Sequence, residues 1–252
     1  MNPTAVTQKW LEGAVAAQHR WTERLFSLKV DADIPFEAGQ FAKLALEVDG
    51  EMIARPYSFV NAPDERPNEF YYVTLPEGPL TPRLCRLGAG DRVWLAPRPA
   101  GFLALSEVPQ GKNLWMISTG TGIGPFLSIL KTEAPWTRFG QVVLVHAVRR
   151  GEELTHRETI AALLRRRGEQ LRTVSFVSRE AAVGAMPGRV PAAIEDGRLE
   201  NAAGVVLSAE KSQVMICGNP EMVKDTSAAL AKRGMKKHRR RDPGHITVEN
   251  YW

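Results

Sequence analysis

The chain has 252 residues, 44% of them hydrophobic and 24% charged, with a formal net charge of +5. This composition suits a soluble globular protein of one or two domains, and no apolar run approaches the roughly 18–20 residues that cross a bilayer. The opening stretch, MNPTAVTQKWLEG, lacks the basic-then-apolar pattern of a signal peptide, and Cys85 and Cys217 offer neither CxxC spacing nor a metal tetrad, so a cytoplasmic, metal-free chain is expected.

The first hundred residues read as short strands broken by Pro and Gly. RWTERLFSLKV alternates around Trp21, Leu25, Phe26 and Leu28. GQFAKLALEV sets Phe41, Lys43 and Ala45 against Ala42, Leu44 and Leu46, and ARPYSFV, EFYYVTL and DRVWLAP follow. Short strands at this spacing predict an antiparallel barrel or sandwich. Within ARPYSFV, Arg55 and Tyr57 share one face of a strand and Ser58 takes the other. An aromatic beside a cation suits a flat anionic cofactor, although an ordinary barrel strand would use the same residues. Thr81 and Pro82 have the chemistry of an N-cap and a first-turn residue, so a short helix is expected to start there.

After about residue 110 the rhythm changes to strand–helix alternation, the mark of a parallel sheet. NLWMIS is a compact apolar strand, followed by Gly120, Gly122 and Gly124 and a helical PFLSILKTEA. QVVLVHAV is a buried strand, EELTHRETIAALLRRR has helical spacing at Leu154, Ile160, Leu163 and Leu164, and LRTVSFVS is a strand. SQVMICG and PEMVKDTSAALAKRG repeat the pattern. The boundary falls within residues 101–112.

Glycines between a strand and a helix permit close approach of a phosphate. The spacing here is G-x-G-x-G-P rather than G-x-G-x-x-G, so a purely structural turn remains open. The following strand ends in Arg149 and Arg150, where an NAD-binding fold places an acidic residue. The next strand ends at Arg179, and Arg189 follows in PGRVP. Singly each reads as a surface arginine. Together, at strand ends beside the glycine turn, they favour NADP.

The densest positive run is KKHRRR, Lys236–Arg241. It reads as a solvated face, and the net positive charge favours anionic partners. A nucleic-acid-binding protein is the reading it supports least, because the three arginines and the aromatic end ENYW would go unexplained.

Taken in order, RPYS, YVTLPEGPLTPRL, TGTGIGP, HAVR, VSRE, CGNP and the final ENYW make the chain resemble, over nearly its whole length, the bacterial ferredoxin (flavodoxin)–NADP reductases. The resemblance implies an FAD-binding β-barrel over residues 1–105 and an NADP-binding α/β domain over 106–252. It implies hydride transfer from NADPH to FAD, then single-electron delivery to an acidic ferredoxin or flavodoxin docked on the basic surface. Carried over by motif, Arg55, Pro56, Tyr57 and Ser58 meet the flavin and its diphosphate, with Pro56 offering no N–H. Tyr71, Tyr72 and Val73 line the flavin, and Pro79, Leu80 and Thr81 hold the diphosphate. Thr121 touches both cofactors, and Val148, Arg149, Ser178, Arg179 and Arg189 take NADP.

Cys217 falls near the nicotinamide by this carry-over, and Ser58 near flavin N5. Glu249 is a candidate proton source, Trp252 a lid stacked on the flavin ring, and Tyr251 a neighbouring contact. A monomer with no membrane or nucleic-acid partner is expected. The alternative is an NADPH-dependent reductase component of an oxygenase. A fused [2Fe–2S] module would need four cysteines, so only a separate iron–sulfur partner would suit it.

Overall fold

The computed structural model describes residues 10–250. Its strands form two six-stranded sheets. The first contains β1 (Leu11–Arg20), β2 (Leu25–Asp31), β3 (Phe41–Val48), β4 (Glu51–Ser58), β5 (Asn68–Val73) and β6 (Arg92–Leu95). Its order is β4-β3-β6-β1-β2-β5, with antiparallel neighbours. An antiparallel bridge between Phe59 and Phe70, and a 2.9 Å bond from Val60 N–H to the Glu69 carbonyl, join the two end strands. The sheet therefore closes into a barrel, which removes its edges. Leu28, Leu44, Phe59, Phe70, Val93 and Leu95 fill it, each fully buried.

The barrel begins earlier than the sequence pattern suggests. RWTERLF is not one strand: Trp21–Arg24 is the turn between β1 and β2, closed by Trp21 N–H on the Leu25 carbonyl at 2.9 Å. β1 is built from small residues, so it shows no alternation of large apolar groups. The structure needs them small: a Cβ on Gly13 would lie 2.7 Å from Leu95 Cδ1 and 2.8 Å from Val30 Cγ1. A bulge between Val15 and Ala17 bends the strand further.

The second sheet contains β7 (Asn113–Thr119), β8 (Gln141–Val148), β9 (Leu171–Val177), β10 (Met186–Pro187), β11 (Ser212–Gly218) and β12 (Ile246–Asn250). All neighbours are parallel, in the order β10-β9-β8-β7-β11-β12. β7 shows why its residues are apolar without alternation. Leu114 and Met116 enter one core while Trp115 and Ile117 enter the other, as a strand covered on both faces requires.

Helices α5 (Val190–Glu195), α6 (Arg198–Ala203) and α7 (Pro220–Ala231) cover one face. On the other lie α2 (Gly124–Leu130), α3 (Ala134–Arg138) and α4 (Arg157–Arg167), following α1 (Thr81–Leu84) of the barrel half. PFLSILKTEA thus splits between α2 and α3, and EELTHRETIAALLRRR is helical only from Arg157. The core beneath α2–α4 also takes in Leu25, Ala38, Val60 and Tyr71 of the barrel. Burying a side chain of this size contributes about 1.5–3 kcal/mol, so this shared core ties the two halves together.

Candidate functional site

The chain runs outward from β7 through β8, β9 and β10, then returns to β11 on the other side of β7. Ligands of open parallel sheets bind beyond the strand ends at such a reversal. A cleft of about 860 Å³ opens there, within the range of small-molecule sites. Thr22, Arg24, Leu25, Val73 and Leu75 line it from the barrel. Thr119, Gly120, Thr121, Gly218 and Asn219 line it from the turns after β7 and β11.

The glycines of the turn do separate jobs. Gly122 packs on β11: a Cβ there would lie 2.5 Å from the Cys217 carbonyl oxygen. Gly124 faces Val60 of the barrel, whose Cγ2 would be 3.3 Å from an added Cβ. Gly120 has φ +52° and nothing within 4 Å of a built Cβ, so it opens onto the cleft. Gly218, at φ +137°, lets β11 approach Thr119, and the next N–H, of Asn219, donates to Thr119 Oγ1 at 3.0 Å. The Asn219 side chain then caps α7 by accepting from Glu221 N–H at 2.9 Å.

The cationic wall is formed at the ends of adjacent strands. Arg149 follows β8, Arg179 follows β9 and Arg189 precedes α5; all three line the cleft, with Val148 and Ser178 beside them. Arg179 N–H donates to the Arg149 carbonyl at 3.0 Å. Glu153 accepts from the N–H groups of Arg149 and Arg150 at 2.8 and 3.0 Å, curling the loop back on itself. Arg150 faces Glu180 at 3.9 Å. Among the described residues, Arg149, Arg179 and Arg189 make no ion pair, although Glu152, Glu153, Glu221 and Asp225 also line the cleft.

Comparison with known proteins agrees with this geometry. Residues 116–228 match the family model of the oxidoreductase NAD-binding domain. The flavodoxin/ferredoxin–NADP reductase of Shigella flexneri is 50% identical over 245 residues, covering 96% of this chain and 99% of the relative. That of Escherichia coli K12 is 49% identical over the same coverage. The chain belongs to the flavodoxin/ferredoxin–NADP reductase family. A solved ferredoxin NADP+ reductase from Neisseria gonorrhoeae with bound FAD and NADP superposes with a TM-score of 0.92, at 35% identity, over 97% of this chain and 99% of that one.

Placed on this member of the flavodoxin/ferredoxin–NADP reductase family, the other predicted residues divide. Arg55, Pro56, Tyr57 and Ser58 lie at the end of β4. Arg55 and Pro56 are exposed, Tyr57 half-buried and Ser58 buried. The Tyr57 ring meets Tyr72 edge-on at 5.9 Å, and burial pushes both phenols well above their ordinary pKa. Tyr72 donates to Gln18 Oε1 at 2.8 Å, inside the barrel. Tyr71 turns to the opposite face of β5, with Thr155 Oγ1 2.9 Å from its hydroxyl, and it joins the core shared with the second sheet.

Thr81 is not the cap of α1. Leu80 holds that position, no side chain caps the helix, and Thr81 is its first residue. The hydroxyl is engaged elsewhere: it accepts from Leu75 N–H at 2.9 Å and pins the 75–81 loop. Pro79 is exposed, and its carbonyl accepts from Arg83 at 2.7 Å.

Cys217 is fully buried in the core beneath α2–α4 and does not itself line the cleft, but it directly precedes Gly218, which does. Glu249 is no solvated tail residue. It pairs with Cys217 across β11 and β12, and its Oε1 accepts from Phe102 N–H at 3.3 Å. Oε2 is buried and has no hydrogen-bond partner among the described residues. Burial pushes its pKa up to about 7, against the lowering effect of the Phe102 bond. Tyr251 and Trp252 lie outside the described residues.

His146 was not singled out from the sequence. Fully buried on β8, it places Nε2 3.1 Å from the Gly120 carbonyl. A carbonyl only accepts, so Nε2 carries the proton. Burial brings the pKa down to about 4, leaving a neutral ring that anchors the glycine turn. Its place before the arginine loop, in HAVR, was the available signal.

Proposed function

We propose that the chain is an FAD-dependent NADPH reductase that passes electrons to ferredoxin or flavodoxin. The observation that carries this reading is the set of arginines without an ion pair among the described residues, Arg149, Arg179 and Arg189, in a cleft shared by the parallel sheet and the barrel. Three features support a fit for a flat dinucleotide-sized cofactor and for NADPH. They are the cleft volume, the open backbone at Gly120 and, outside the cleft lining and beside Phe102, the buried Glu249 oxygen without a partner among the described residues.

FAD, when bound, would supply the chemistry that accepts hydride from NADPH and delivers the two electrons singly. The protein orients the rings and shields them. Arg55, Tyr57 and Ser58 take the flavin and its diphosphate at the end of β4, with Pro56 holding that backbone extended. Tyr72, Val73 and the Pro79–Thr81 segment support it from the barrel side; Tyr71 acts only through the backbone of β5. Arg149, Arg179 and Arg189 bind the 2′-phosphate by charge-assisted hydrogen bonds, beside Val148 and Ser178. Thr121 and Gly120 bring the nicotinamide end to the flavin. Glu249 holds or moves a proton at Oε2. Ser58 serves as a polar neighbour of the flavin edge, and Cys217 as packing behind the glycine turn.

Trp252 is assigned as the lid on the flavin ring and Tyr251 as an adenine-side or ring-side contact. Deleting Trp252 is then expected to tighten nicotinamide binding and alter the flavin spectrum. The domains are assigned as 1–105 for FAD and 106–252 for NADP. The acceptor docks on the basic face, and the protein acts as a cytoplasmic monomer without nucleic acid or membrane. Among the described residues no helix is long and apolar enough to cross a membrane. An oxygenase reductase component is not favoured, since the relatives at 49–50% identity are named for flavodoxin and ferredoxin. NADPH oxidation with ferredoxin or flavodoxin as sole acceptor tests the reading; turnover with neither would refute it.

A further inference from the structure

His156 stands where the arginine loop enters α4. It is 4% exposed and left-handed, with φ +56°, a conformation that a non-glycine residue keeps only where its surroundings hold it. Both ring nitrogens are engaged, one across the boundary between barrel and sheet and one within the loop. Nε2 lies 3.2 Å from Glu69 Oε1, and Nδ1 lies 3.1 Å from Thr155 Oγ1. Thr155 continues to the Tyr71 hydroxyl at 2.9 Å. Glu69 and Tyr71 both belong to β5, the barrel strand that ends at Val73 in the cleft. The imidazole packs between the Trp21 ring, at 4.5 Å, and the edge of Tyr71, at 4.8 Å.

The loop before His156 is internally tied. Glu153 holds the N–H groups of Arg149 and Arg150, and Arg157 Nε donates to the Leu154 carbonyl at 2.9 Å. A shift at His156 therefore moves Arg149 and Arg150 together, and reaches Arg179 through its bond to the Arg149 carbonyl. Hydride transfer is sensitive to such shifts, since a misplacement of about 1 Å can cost roughly 100-fold.

Burial pushes the Glu69 carboxyl up, but hydrogen bonds from His156 and Ser27 and the charges of His156 and Lys131 outweigh it, bringing the pKa down to about 2. An ionised carboxylate only accepts, so Nε2 carries a proton in either state of the ring. Protonation adds a donor at Nδ1 and turns the Thr155 hydroxyl toward Tyr71. The other titratable groups around the pair are Lys131 after α2, His146 on β8, Glu153 near Tyr71, and His19 behind Trp21.

We propose that His156 is a positioning residue for hydride transfer: through Glu69 and Thr155 it fixes the arginine loop, and the 2′-phosphate bound there, at a set distance from β5. The inference rests on the NADPH–flavin reading above. The protonated ring, donating from both nitrogens, is the clamped form.

The test uses FAD-loaded enzyme carrying His156→Gln or Thr155→Val. Stopped-flow flavin reduction, 2′-AMP affinity and the ring-proton NMR titration of His156 are measured across pH. In His156→Gln, hydride transfer is expected to fall roughly tenfold or more while 2′-AMP affinity changes less than about twofold. The wild-type rate should fall with rising pH along the His156 NMR titration, and that step should vanish in the variant. Unchanged hydride transfer, a parallel loss of 2′-AMP affinity, or a pH step that survives the substitution would overturn the proposal. If His156→Gln does not fold, Thr155→Val leaves the ion pair in place and decides the matter. It should slow hydride transfer several-fold and shift the His156 titration, and no change in either would overturn the clamp. Wild-type enzyme that is not reduced by NADPH would sink the functional reading instead, while the NMR titration with and without Glu69→Gln still reports on the clamp.

Discussion

Arg179 N–H donates to the Arg149 carbonyl at 3.0 Å, so the backbones of two cleft-lining arginines are held together at neighbouring strand ends. Each charge-assisted bond to a phosphate is worth about 1.5–3 kcal/mol. Arg179→Ala or Arg189→Ala should raise the NADPH KM by roughly 10–100-fold and leave NADH use almost unchanged. Steady-state kinetics with both nucleotides checks this; equal losses would assign the arginines to structure.

Glu249 gives a pH signature. Its folded pKa of about 7 lies above the ordinary carboxylate value, so the native state binds the extra proton between about pH 4.5 and 7. The stability it contributes is complete below about pH 4.5 and is lost as pH rises through 7, by at most about 3 kcal/mol. Glu249→Gln removes the titration. The variant's melting temperature, relative to wild type, should climb from pH 5 to pH 8. A constant difference across that range would mean that Glu249 titrates normally.

The glycine turn predicts a separable stability effect. A Cβ at Gly122 would meet the Cys217 carbonyl, which is backbone and cannot rotate away. Gly122→Ala should cost about 1–3 kcal/mol, lowering the melting temperature by roughly 2–10 °C and weakening cofactor retention. Calorimetry with flavin release on dilution measures both. A variant as stable as wild type, with its flavin held, would contradict the close packing of the turn on β11.

Within Lys236–Arg241 the charges are not equivalent. Lys236 pairs with Asp242 at 2.6 Å, and Arg240 pairs with Glu107 at 3.0 Å while covering the Phe102 ring at 4.5 Å. Among the described residues, Lys237, Arg239 and Arg241 make no ion pair. Replacing these three with Glu should slow reduction of an acidic carrier about tenfold or more at low salt, with a small neutral acceptor nearly unaffected. The difference should shrink as salt rises. Equal effects on both acceptors would place docking elsewhere.

The fold was legible where side chains were large and periodic. β7, β8 and β11 stand out because each is buried on both faces, and β9 because Val174, Phe176 and Val177 are apolar and buried beside its exposed Thr173. β1 was missed because its tight contacts demand Gly and Ala, which leave no pattern. α5 and α6, six residues each, are too short to show a helical period, and the two-residue β10 falls in the same stretch. The arginines were legible because strand ends fix their position. The Glu69–His156 pair was not, because 87 residues separate its members and only the closed barrel brings β5 to α4. Thr81 misled for a related reason: its hydroxyl serves a loop contact with Leu75 that local capping rules do not see.

The cleft is expected to pass electrons from NADPH to bound FAD. Anaerobic mixing of the purified enzyme with NADPH or NADH, followed at the flavin absorbance, tests it directly. Flavin identified as FAD and reduced by NADPH with at least about 100-fold preference over NADH, as two or three arginine–phosphate bonds require, is the predicted result. Folded protein that takes up no FAD, or that reduces it equally well with both nucleotides, would contradict the account.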